Sequence, residues 1–179
     1  MKNLLFVILG ICMLSSCSKD DTDERSGAIT VWSATSFQAN VNPIPIVLGI
    51  SIAPDFVSTA EDINYQLELN SETGEYKVKG GYTLKSVFSF ENVPDIVKEY
   101  ENVVKTGSFT NEGGNLLFDK SLLDVHTNDI KWTDFEGMDL KFTLSEDGNE
   151  LIQEQIFENI KVQDGMNGNV RITSVWKKN

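Results

Sequence analysis

Side chains able to do covalent or acid–base chemistry are few in this chain. It has one histidine, His126, and two cysteines, Cys12 and Cys17. His126 sits in Asp124-Val125-His126-Thr127-Asn128-Asp129, a run rich in oxygen ligands. A calcium loop starting at Asp124 would need glycine at its sixth position and glutamate at its twelfth. The chain has Asp129 and Phe135 there, so the run reads as a polar loop. One imidazole does not make a histidine-rich zinc site. There is no Gly-x-Ser-x-Gly elbow and no phosphate-binding Walker loop. The 27 aspartates and glutamates show no spacing that brings two together, so a glycosidase-type carboxylate pair has no support. The expectation is a protein that is not an enzyme and carries no cofactor and no metal.

The cysteines point elsewhere. Lys2 is followed by an apolar run from Leu4 to Leu14 and then by small residues. A positive start, a short apolar middle and a small-residue end make a secretory signal peptide. The run is shorter than the roughly 20 residues of a membrane-spanning helix. Leu14-Ser15-Ser16-Cys17 resembles the lipobox of bacterial lipoproteins. That resemblance implies removal of residues 1–16, acylation of Cys17, and the membrane as a partner through that cysteine. Cys12 would leave with the signal peptide, so no thiol would remain for a disulfide or a nucleophile.

Residues 17–27 are polar and charged and read as a lipid-anchored flexible tether. Ser18-Lys19-Asp20-Asp21 resembles the acidic export signal of surface lipoproteins in some Gram-negative bacteria; the other reading is a solvated linker. The expected location is the outer membrane of a Gram-negative bacterium, facing the cell surface or the periplasm. The formal net charge of −12 gives a surface that repels nucleic acid and anionic lipid headgroups, so nucleic acid is not an expected partner.

Residues 28–179 suit one domain with a real core. Ile29 to Phe37 is β-branched and aromatic and predicts a strand. From Val41 to Pro54 large apolar residues (Ile44, Ile46, Leu48, Ile50, Ile52) alternate with mostly small ones. Pro43, Pro45 and Pro54 argue for an edge strand or a loop over a barrel mouth. Asp55 to Glu61 suggests a short helical turn. Ile63, Tyr65, Leu67 and Leu69 alternate with polar residues, a half-buried strand. Ser71 to Gly74 turns the chain. Tyr76, Val78, Gly80, Tyr82, Leu84, Phe88 and Phe90 then share one parity, with Gly80-Gly81 free to bend the strand. Ile96, Val97, Tyr100, Val103 and Val104 have helical spacing, and Pro94 suits a first turn, which predicts a short helix over Pro94 to Val104.

Strands are expected again at Lys105 to Thr110 and Asn115 to Asp119 around a Gly113-Gly114 turn. Further strands are expected at Ile130 to Thr133, Asp139 to Leu144, Glu150 to Val162 and Val170 to Lys178. In the penultimate strand Ile152, Ile156, Ile160 and Val162 share a parity. Asp164-Gly165 and Asn167-Gly168 read as a turn.

The sum is an all-β, antiparallel up-and-down barrel of about eight strands with one short helix. The chain resembles the small lipocalin-like lipoproteins of Gram-negative bacteria. The resemblance rests on Trp32 in the first strand, the Leu69 to Tyr76 hairpin, Gly-Ser-Phe-Thr with Gly-Asn-Leu between Gly107 and Leu116, and the closing strand. It implies a small apolar ligand in the barrel, lined by some of Tyr65, Tyr76, Tyr82, Phe88, Phe90, Phe142 and Trp176. These aromatics would equally fill a solid core. In that case the protein would be a surface module binding protein or glycan.

Overall fold

The computed structural model describes residues 29–44, 54–124, 138–163 and 166–179. They form eight strands: β1 (Ile29–Ile44), β2 (Phe56–Asn70), β3 (Glu75–Phe88), β4 (Ile96–Glu112), β5 (Asn115–Phe118), β6 (Leu140–Leu144), β7 (Glu150–Gln163) and β8 (Met166–Lys178). Each strand pairs antiparallel with its neighbour in sequence, and β1 pairs with β8 to close an up-and-down barrel. Closure gives every strand a neighbour on both sides. Among the described residues, the ladders lie between Ile29 and Lys178.

Alternation decides which face is buried. Tyr65, Leu67 and Leu69 of β2, Tyr76, Val78, Tyr82 and Leu84 of β3, and Val170, Ile172 and Trp176 of β8 point inward as their period-two pattern predicts. Trp32 is buried at the end where β1 starts and β8 finishes. Its indole donates to Thr30 Oγ1 at 3.0 Å.

The bend predicted at Gly80-Gly81 is present. At this level β2 carries an extra residue between Glu61 and Asn64, and β4 carries one between Tyr100 and Val103. Asp62 and Asn102 take positive φ there, and Gly80 has φ 127°. A Cβ on Gly80 would overlap the Asn64 carbonyl, and one on Gly81 would lie 2.5 Å from the Tyr100 carbonyl oxygen. The two glycines let the bulged backbones of β2 and β4 press against β3, which turns the wall.

Several expectations fail, for related reasons. No helix occurs among the described residues. Residues 96–104 are the first half of β4, with Ile96, Lys98, Tyr100, Val103 and Lys105 on the inner, half-buried parity. The bulge at Asn102 turns a period of two into the spacing Ile96, Tyr100, Val103, which imitates a helix. The helical turn expected at Asp55 to Glu61 is the start of β2. In β7 the apolar parity is reversed: Leu151 and Phe157 are buried, whereas Ile152 and Ile156 face outward. A bulge between Phe157 and Ile160, with Asn159 at φ 53°, then carries Ile160 and Val162 inside.

Asn167-Gly168 lies within β8, not in a turn; a Cβ on Gly168 would stand 2.9 Å from the Asn42 carbonyl oxygen. Val41 to Ile44 belongs to β1: Val41 pairs on both sides, with Phe56 and Val170, and Asn42 to Ile44 continue the ladder with β8. The rest of the proline-rich stretch to residue 53 lies outside the described residues. So do Cys17, Ser18, Lys19, Asp20, Asp21, His126, the Ile130 to Thr133 strand and Asp164-Gly165.

The wall is uneven. β4 has 17 residues and β7 has 14, but β5 and β6 between them have 4 and 5. β5 pairs only with Phe109 to Glu112 of β4, and β6 meets β7 only at Thr143 and Leu144. Beyond that, the Gln155 side chain extends the contact. It accepts from the Lys141 amide and donates to the Asp139 carbonyl, both at 2.9 Å. After β5 the chain turns into the barrel, and that dip builds the candidate site.

Candidate functional site

The seven aromatic candidates divide into separate groups. Tyr65, Tyr82 and Trp176 meet in one cluster: ring centroids of Tyr65 lie 5.3 Å from Tyr82 and 5.9 Å from Trp176. Tyr76 and Phe142 meet around Phe118 in a second, edge-on at 5.2 and 5.0 Å. Phe88 packs on Phe56 at 5.2 Å. Phe90 is 49% exposed beyond the end of β3 and joins neither cluster.

The first cluster holds the dip. Ser121 to Asp124 enters the barrel from the end of β5, and Leu122 and Leu123 are each 2% exposed within the core. A backbone inside an apolar barrel needs partners for its polar groups, and wall side chains supply them. The Tyr65 hydroxyl on β2 donates to the Leu122 carbonyl at 2.9 Å. The Tyr82 hydroxyl on β3 donates to the Asp124 carbonyl at 3.0 Å and accepts from the Asp124 amide at 2.8 Å. Lys105, on the inner parity of β4, contacts the Asp124 carboxylate at 2.7 Å and the Ser121 carbonyl at 3.2 Å. Ser121 Oγ donates to the Leu123 carbonyl at 2.6 Å. Three adjacent strands thus each direct one polar group at the same four residues.

Burial pushes the Tyr65 and Tyr82 phenols well above their ordinary pKa, and the Asp124 charge adds to both shifts. They stay neutral and able to donate at any physiological pH. Tyr76 is raised as well, first by burial and then by Asp119. Its ring lies against Gly107, where a Cβ would stand 2.6 Å from the hydroxyl and overlap an Asp119 carboxylate oxygen. Asp119 acts on the Tyr76 hydroxyl through its charge and as a hydrogen-bond acceptor, although the pair falls outside strict hydrogen-bond geometry. The Trp176 indole N–H is buried without a partner in hydrogen-bond geometry.

Two of the open clefts among the described residues are lined by inward residues such as Tyr76 and Tyr82 as well as by outer ones. One of about 640 Å³ crosses Asn70, Glu75, Ser108 and Asp119, with Lys77 and Lys120 beside them. The other, of about 370 Å³, lies over the bulges at Asp62, Gly80 and Asn102. Among the described residues, no three histidine, cysteine, aspartate or glutamate side chains converge as a metal site.

Sequence reasoning missed Lys105, Leu122, Leu123 and Asp124. Two signals were available: Leu122-Leu123 is an apolar pair in an otherwise polar stretch, and Lys105 falls on the inner parity of its strand. No protein-family model, curated protein or solved structure matches this chain.

Proposed function

We propose that this chain is a non-enzymatic, lipid-anchored protein of a Gram-negative cell envelope, held to the outer membrane through acylated Cys17, whose lipocalin-like barrel binds a small apolar molecule. The observation that carries this reading is the manner in which the interior is filled. Leu122 and Leu123 arrive on a short segment without strand pairing, tied by the side chains of Tyr65, Tyr82 and Lys105. A wall closed by its own side chains would have no use for buried hydroxyls aimed at an inserted backbone. Withdrawal of the segment would free the space that Leu122 and Leu123 fill in the core.

A second reading, a solid barrel acting through its outer surface on a protein or glycan, has its own support. Val97 and Val104 on β4 and Ile156 on β7 are more than half exposed aliphatics on outward faces. The two readings separate on residues 28–179. Native mass spectrometry of the purified protein and titration with 1-anilinonaphthalene-8-sulfonate would give co-purified lipid or saturable binding under the first. Absence of both would leave the surface module.

A further inference from the structure

The dip has the chemistry of a ligand. From the inside outward it presents two aliphatic side chains, then the Leu122 and Asp124 carbonyl oxygens, then the Asp124 carboxylate. The wall answers in the same order: an apolar interior, two neutral phenol donors on β2 and β3, then the Lys105 ammonium on β4. The Lys105 and Asp124 side chains are 23% and 29% exposed, so the charged pair sits at the boundary with water while the leucines are enclosed. We propose that residues 121–124 occupy the site of an alkyl chain with a singly charged anionic head, a fatty carboxylate or its equivalent, and close the barrel to it until it displaces them.

The proposal rests on reading the barrel as a carrier. It adds the class of ligand and the contact that restrains its entry. An anionic oxygen head would take over Lys105 and one tyrosine hydroxyl in charge-assisted bonds. The alkyl chain would take the space of Leu122 and Leu123. An alkane would leave buried donors without partners, an alcohol would leave the ammonium without a counter-charge, and a cationic amphiphile would meet Lys105 directly. Because the segment must leave first, measured affinity is lowered by the fraction of open molecules. Loosening the segment while keeping the wall intact must therefore tighten binding.

The test is calorimetric titration of residues 28–179 with laurate and, in parallel, with dodecanol. Wild type should bind laurate more tightly than dodecanol. Asp124→Asn removes the charge that neutralises Lys105 and should tighten laurate binding about tenfold. Lys105→Met should weaken laurate about tenfold and erase its preference over dodecanol. Circular dichroism confirms that each variant is folded, and Lys105→Gln replaces the methionine variant if that one is not. Equal binding of laurate and dodecanol by wild type, or weaker laurate binding by Asp124→Asn, would overturn the head-group assignment and leave the carrier reading standing. Binding of neither by wild type and Asp124→Asn would overturn both.

Discussion

Replacing each buried tyrosine by phenylalanine removes one oxygen atom and almost nothing else, and the three sites differ only in what that oxygen does. At Tyr82 it serves both the amide and the carbonyl of Asp124. Phenylalanine there strands two backbone groups at about 1–3 kcal/mol each when water does not replace the partner. The site is only partly buried, so about 2–3 kcal/mol in total is expected. At Tyr65 the oxygen serves one fully enclosed carbonyl, that of Leu122, and the expected cost is about 1–2 kcal/mol. At Tyr76 it serves no backbone group and faces only the Asp119 carboxylate, outside strict hydrogen-bond geometry, so Tyr76→Phe should cost less than either, about 1 kcal/mol or below. Urea denaturation followed by tryptophan fluorescence measures all three, and unchanged m-values would show that the compared states are the same. The predicted order of destabilisation is Tyr82, Tyr65, Tyr76. A loss at Tyr76 equal to that at Tyr82 would refute the claim that the hydroxyls matter through the inserted segment.

Gly80→Ala should cost about 3 kcal/mol or more, read by the same denaturation, since it combines positive-φ strain with a backbone overlap against Asn64. Gly107→Ala should cost about 1–3 kcal/mol, less than Gly80→Ala, because the obstructing Asp119 and Tyr76 groups are side chains that can move. Below about pH 10 the three raised phenols are protonated in both folded and unfolded chains, so they add no pH dependence. Above it the unfolded chain ionises first, and stability should fall as pH climbs toward the higher folded values; ultraviolet titration should show these tyrosines ionising only on unfolding. Cys17→Ser should abolish metabolic labelling with palmitate, and persistent labelling would refute the lipid anchor.

Much of the barrel was legible because one-sided burial imposes a strict period of two on β2, β3 and β8. It became illegible wherever a bulge inserted a residue. In β4 the bulge made Ile96, Tyr100 and Val103 look helical, and inward Lys98 and Lys105 removed the apolar alternation that would have corrected the reading. In β7 the one at Asn159 reversed the faces of Ile152 and Ile156 relative to Ile160. Phe90 does not share the inner face expected of it, because parity continues past the end of a strand on paper but not in space. What Tyr65 and Tyr82 hold was out of reach: Leu122 lies 57 residues from Tyr65, and nothing local to either residue encodes that meeting.

Amide hydrogen exchange at Asp124 tests the central claim most directly. This part-buried amide is bonded to the Tyr82 hydroxyl, so it exchanges when that bond opens. If residues 121–124 are a displaceable filling, the Asp124 amide opens with a free energy well below that of global unfolding, while Leu67 and Val78 on β2 and β3 exchange only through global unfolding. If Asp124 exchanges with the same free energy and denaturant dependence as Leu67 and Val78, the segment is a fixed part of a solid core and the account is wrong.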